Sequence, residues 1–229
     1  MIIAFICIVL IFNTMETISI HRPKIVVIGS CNTDMVVKAN RLPVPGETIL
    51  GGTFYMNPGG KGANQAIAAA RLGAEVTFIS KIGYDLFGLQ ALEIYRSEKI
   101  NTEYIFTDQK SPSGVALISV DSFGENSIIV APGASRSLSI EDINKAEEKI
   151  KEADIILMQL EIPIDTVEYA ATIACKYGKK VILNPAPASS LSNSFLMNVH
   201  TILPNRIEAE MLSGIKVMNI ESAHRAAQA

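Results

Sequence analysis

From residue 24 onward, short runs of aliphatic residues alternate with longer stretches whose apolar positions recur at helical spacing. Residues 24–29 (KIVVIG) carry an apolar run at 25–28 closed by Gly29 and Ser30, the pattern of a strand covered on both faces. The Ala-rich residues 64–72 predict a helix stopped by Gly73. The same alternation predicts strands over 76–80, 155–159, 180–184 and 201–203, and helices over 87–99, 139–153, 164–177 and from 206 to 212. Strands alternating with helices imply crossover connections, a mainly parallel sheet and helices on both of its faces. The expected class is therefore α/β, a three-layer αβα fold.

Two stretches break the rhythm. Residues 35–55 and 114–130 are strand-like, punctuated by Pro and Gly, with no helix between their apolar runs. The second reads as a hairpin, 115–120 and 127–130, around a turn at 121–126. Such insertions predict a small antiparallel sheet set apart from the main one, placed to act as a lid where open α/β folds bind ligands.

Composition narrows the function classes. Hydrophobic residues make up 48% of the 229 and charged ones 19%, enough for a sizeable core and unlike a disordered chain. The net charge of −3 leaves no basic footprint for nucleic acid or an anionic membrane. The three cysteines (Cys7, Cys31, Cys175) are far apart and form no CxxC pair, which suits a reducing cytoplasm better than a disulfide framework or a zinc site. Residues 1–12 are almost wholly apolar, short of the roughly 20 residues of a membrane span and without a basic n-region or a small-residue cleavage site. Residues 1–23 are read as an N-terminal extension outside the fold, with Met15 as an alternative start and a targeting segment as the competing reading.

Four motifs carry candidate chemistry. In NPGGKGAN (57–64) a glycine loop runs straight into a helix, where backbone N–H groups and the helix dipole favour negative charge. It is no Walker A loop, since Lys61 is followed by Gly62 rather than Ser or Thr, and an ordinary helix start reads the same way. In SCNTD (30–34), Asn32 and Asp34 stand two apart after the first strand; they suit the vicinal hydroxyls of a sugar or a simple turn. Glu161 of MQLE (158–161) ends a buried strand, at a ligand crevice or in a solvated loop before Pro163. Beyond NPAP (184–187), Asn205 and Glu208 fall on one face of a first helical turn, equally the spacing of a capping box.

Taken in order, SCNTD, PGET (45–48), NPGGKGAN, MQLE, NPAP and PN-x-x-EAE (204–210) resemble the ribokinases of the PfkB family of carbohydrate kinases, from about residue 24 to about residue 217. The resemblance implies an incomplete PfkB domain over 24–229, with the lid at 35–55 and 114–130. It implies that Asn32 and Asp34 bind D-ribose hydroxyls, with Gly60, Lys61 and Asn64 on the opposite wall and Glu161 at the junction of sugar and phosphate. It places Asn205 near the phosphates of ATP and Glu208 on the water shell of Mg²⁺. The implied reaction is phosphorylation of the 5-hydroxyl of D-ribose, and the lids of two copies would pair in a homodimer.

One part of the family pattern is absent. Relatives carry a later Thr-x-Gly-Ala-Gly-Asp segment whose glycines form an anion hole and whose Asp takes the proton from the sugar. No Gly-Ala-Gly-Asp string occurs in these 229 residues, and the last aspartate is Asp165. The adenine loops and the K⁺ site of the family belong to the same later part. The expectation is a chain that ends in an Ala-rich tail, lacks the C-terminal part of the fold and has no catalytic residue of its own. The competing readings are a non-catalytic sugar-binding or lid-mediated interaction protein, and a kinase for another pentose or a nucleoside.

Overall fold

The structure, a computed structural model, describes residues 22–229. The apolar run at 1–12, Met15, Cys7 and His21 lie outside the described residues.

Strand β1 (Lys24–Ile28) lies at the centre of a six-stranded sheet. It pairs in parallel with β4 (Glu75–Gly83) on one side and β8 (Ile155–Met158) on the other. Beyond β4 lies β5 (Ile105–Asp108); beyond β8 come β9 (Lys180–Leu183) and β10 (Thr201–Ile202), all parallel. The unbroken apolar run of β1 has a direct cause in its two covered faces. Val26 and Ile28 join a core cluster with Ile143, Ile150, Val167 and Ala170, whereas Val27 joins a second cluster with Ala63, Ala66, Phe78 and Tyr95. Helices α1 (Lys61–Arg71) and α2 (Leu86–Ser97) supply the second cluster. Helices α3 (Ile140–Lys145), α4 (Glu147–Glu152) and α5 (Ile164–Lys176) supply the first, with the short α6 (Asn193–Leu196) beside them. These are the three layers that the alternation predicts.

The lid is a separate four-stranded sheet in the order β3-β2-β6-β7, made of β2 (Asn32–Lys38), β3 (Thr53–Gly59), β6 (Gly114–Val120) and β7 (Asn126–Ala131). The pairings β2–β3 and β6–β7 are antiparallel, while the central pair β2–β6 is parallel. The reason is topological. Both β2 and β6 start at the core, at Asn32 and Gly114, and run outward side by side, and β3 and β7 return.

Several boundaries differ from the sequence expectation. The helix expected over 139–153 is α3 and α4, broken at Ala146 (φ −100°, ψ 6°); Ile143, Ala146 and Ile150 are all buried in one cluster, so the break leaves the buried face continuous. Strand β5 was not legible as a strand, since its four residues IFTD include only two apolar ones. Beyond α7 (Arg206–Ser213), the Ala-rich tail is helical as α8 (Ile220–Gln228), started by an Asn219–Ser222 capping box. No helix among the described residues is long and apolar enough to cross a membrane.

Candidate functional site

The site forms where the lid joins the core. Asn32 and Asp34 are alternate residues of β2, so the period of two that governs a strand puts both on one face. Glycines leave room for them. A Cβ at Gly114 would lie 2.1 Å from Asn32 Oδ1, and one at Gly59 would lie 2.0 Å from an Asp34 carboxylate oxygen. Asn32 is 5% exposed and its Oδ1 is buried with no hydrogen-bond partner. A buried acceptor without a partner costs about 1–3 kcal/mol, so this oxygen is available to a donor brought by a ligand. Asp34 titrates above the usual aspartate range, first through burial and then through repulsion by Glu161, with Lys61 pulling the other way. A carboxylate in that state also favours incoming hydroxyl donors.

Glu161 is the hub of a second polar wall, formed with Ser30 and Lys61. It accepts a 2.5 Å hydrogen bond from Ser30 Oγ and a 3.0 Å bond from the Lys61 backbone N–H, and it pairs with Lys61 Nζ at 3.1 Å. Gly60 makes this possible: with φ 90° it caps α1 without a side chain, in a conformation that L residues rarely adopt. The remaining first-turn donors are also engaged, Gly62 N with Ser30 Oγ at 3.4 Å and Ala63 N with Ser30 O at 3.0 Å. The glycine loop therefore does present N–H groups to an anion, and that anion is the protein's own Glu161. A helix N-terminus has a few orphan donors, and here residues 30 and 161 take them.

Next to this wall is a cavity of about 440 Å³ lined by Lys61, Asn64, Gln65, Asn184, Ala186, Leu203, Asn205 and Glu208. The glycine-loop motif thus meets two motifs that follow it by more than a hundred residues. Asn205 and Glu208 do form the capping box. Asn205 accepts from Glu208 N at 2.9 Å, and Glu208 accepts from Asn205 N at 2.8 Å and from Asn205 Nδ2 at 2.7 Å. Glu208 is 6% exposed and both of its oxygens are engaged. No group of three or more His, Cys, Asp or Glu among the described residues could hold a metal ion. The described residues do not make a direct Mg²⁺ site.

Sequence reasoning missed four polar residues here. Ser30 and Asn184 sit inside quoted motifs but were given no role. Gln65 lines the cavity and accepts a 2.5 Å hydrogen bond from Gln159 Nε2, while the fully buried Gln159 Oε1 has no partner. A glutamine ending a buried apolar strand was the available signal, because an amide there must find partners.

The profile of a family described as pfkB family carbohydrate kinase matches residues 22–229. A ribokinase of Haemophilus influenzae is 46% identical over 206 residues, covering 90% of this chain and 67% of its own length. A deoxyribokinase of Salmonella typhi is 39% identical over 205 residues, covering 89% of this chain and 67% of its own. Among solved structures, that of an Arabidopsis thaliana ribokinase complexed with ribose and ATP superposes with a TM-score of 0.80 at 32% identity, over 90% of this chain and 68% of that one. The chain thus spans about two-thirds of the length of these relatives.

Proposed function

Because the chain belongs to the pfkB family of carbohydrate kinases, we propose that it binds D-ribose at the lid root and serves ATP-dependent phosphorylation of the sugar's 5-hydroxyl. One observation carries the proposal. Asn32 Oδ1 without a partner, Asp34 above its usual range, and the Glu161–Lys61 pair gather beside the cavity that Asn64, Asn184 and Asn205 line. Carboxylate and amide groups that need donors match vicinal hydroxyls, which both donate and accept. Gly60 shapes the turn that brings Lys61 and Asn64 to this wall. The ribokinase relatives support ribose as the sugar, and the Arabidopsis enzyme supports ATP as the donor.

Asn205 faces the cavity and would approach the nucleotide's phosphates. A role for Glu208 toward Mg²⁺ would run through water, since its direct contacts are already taken. An ion held through water would supply charge to offset that of a phosphoryl group; Asn205 and Glu208 themselves hold the capping turn. Without a Gly-Ala-Gly-Asp string in its 229 residues, the chain alone should bind ribose and hardly turn it over, since each lost oxyanion donor costs on the order of 10²–10³ in rate.

Two finer points belong to the same reading. Val37, Phe54, Met56, Leu117 and Ile129 share one lid face by register and are 40–69% exposed. An apolar face of that kind supports pairing with a second copy's lid, and sedimentation of the chain against a Phe54→Asp/Leu117→Asp variant tests it. Cys31 and Cys175 are free thiols, which supports a cytoplasmic location.

A second reading, a kinase for 2-deoxyribose, is favoured by the deoxyribokinase relative. Titration calorimetry of the 229-residue chain with ribose and with 2-deoxyribose, beside an ATP-dependent phosphorylation assay, decides between them. Heat with ribose and near-zero turnover is the expected result. No heat with either sugar would sink the sugar-binding reading, and turnover at ordinary enzyme rates would sink the assignment of catalysis to groups outside these residues.

A further inference from the structure

The lid hangs on the core at a few points, and one of them is built around a carboxylate that the proposed chemistry does not use. Asp85 caps α2, accepting from Gly88 N at 2.9 Å. The same carboxylate accepts from Ser113 N at 2.7 Å and from Ser113 Oγ at 2.7 Å. Ser113 Oγ in turn accepts from Gly83 N at 3.0 Å. Ser113 is 6% exposed and is the residue just before β6.

Packing around this joint is tight enough to transmit position. A Cβ at Gly83 would lie 2.3 Å from Ser113 N, and one at Gly133 would lie 2.3 Å from Pro112 O. Ala134 N donates to Pro112 O at 2.8 Å, which binds the exit of β7 to the entry of β6. The next residue along is Gly114, paired with Asn32 in the β2–β6 register, where an added Cβ would lie 2.1 Å from Asn32 Oδ1. A line of direct contacts therefore runs from the first turn of α2 through Asp85 and Ser113 to Gly114 and Asn32.

We propose that Asp85 is a positioning residue: it fixes the root of β6 on the core and thereby sets the place of the Asn32 amide in the sugar pocket. An ordinary N-cap needs one acceptor; Asp85 uses its remaining capacity on the lid. Three donors converge on one carboxylate, and an amide at this position offers a single oxygen to them. Asp85→Asn keeps a good N-cap and leaves at least one Ser113 donor without its partner, which separates the lid anchor from the helix start. The effect on sugar binding rests on the ribose reading above; the effect on the lid does not.

The test is hydrogen exchange on the full 229-residue chain and its Asp85→Asn and Ser113→Ala variants, with D-ribose titration of each. In Asp85→Asn, exchange should quicken in segments covering residues 112–120 and 126–135 while β1, β4 and β8 stay as protected as in the parent. The dissociation constant for ribose should rise at least about tenfold, which corresponds to about 1.4 kcal/mol. Ser113→Ala should move both in the same direction by less, since it loses only the hydroxyl. Unchanged exchange in the lid strands would overturn the proposal, as would equal quickening across the central sheet, which signals general destabilisation. A parent chain that takes up no ribose while lid exchange responds as stated would leave the anchor standing and remove the ribose reading.

Discussion

Replacing Glu161 by Ala should destabilise the chain far more than removing the charge that faces it. The Glu161 carboxylate holds three donors: Ser30 Oγ at 2.5 Å, Lys61 N at 3.0 Å and Lys61 Nζ at 3.1 Å. They are not equal. The Lys61 side chain is 39% exposed and that of Glu161 is 17% exposed, so solvent screens the ion pair and holds it to about 1 kcal/mol or less. The Ser30 hydroxyl is buried (1% exposed) and the Lys61 N–H belongs to the first turn of α1. Orphaning each of those donors costs about 1–3 kcal/mol. Relief of the repulsion felt by Asp34 offsets a part. The expected loss for Glu161→Ala is about 2–4 kcal/mol, against under about 1 kcal/mol for Lys61→Met. Urea unfolding followed by far-UV circular dichroism measures both. Equal losses would refute the reasoning, since they would make the charge attraction, not the anchoring of the helix start, the dominant effect.

Three further outcomes follow from the same geometry. Asp34→Asn should weaken ribose binding by about tenfold or more while raising stability near neutral pH. The sign follows from linkage: a raised folded pKa makes stability fall as pH rises from the ordinary aspartate range through the folded value. Unfolding curves of parent and variant should accordingly converge in acid. Gly114→Ala places a methyl 2.1 Å from Asn32 Oδ1 and 2.8 Å from Pro132 O. It should cost about 1–3 kcal/mol, and the Asn32→Ala/Gly114→Ala double variant should recover part of that in a thermodynamic cycle. A maleimide should modify the exposed Cys175 and spare Cys31 in the folded chain, as peptide mass mapping before and after urea would show; Cys31 is buried, and its thiol is pushed up to about 11, chiefly by that burial.

How much of this was legible depended on the range of the interaction. The αβα layering was readable because a strand covered on both faces must be largely apolar: β8 and β1 beyond Lys24 are unbroken apolar runs, and β4 keeps the pattern in part, with Thr77 and Ser80 buried among its apolar residues. Asn32 and Asp34 were legible only as a polar pair two apart, with a turn left open; that both lie in β2, where a period of two puts them on one face, came from the fold. The Asn205–Glu208 capping box was readable as one of two readings, since both partners lie within one turn. The start of α1 was misjudged by three residues because Gly60 at φ 90° has no side chain to announce a cap.

What the local pattern could not contain was decided by the fold. The parallel pairing of β2 with β6 joins residues 82 apart, and it follows from two strands leaving the same edge of the core. Ser30 meets Glu161 across 131 residues and Asp85 meets Ser113 across 28, and no spacing rule reaches so far. The glycine loop shows the division most directly. Its sequence determined that a helix N-terminus would seek a negative charge, because orphan N–H groups demand acceptors. Only the tertiary structure decided which acceptor comes, since the loop after β8 carries Glu161 to that spot and the chain's own carboxylate takes it.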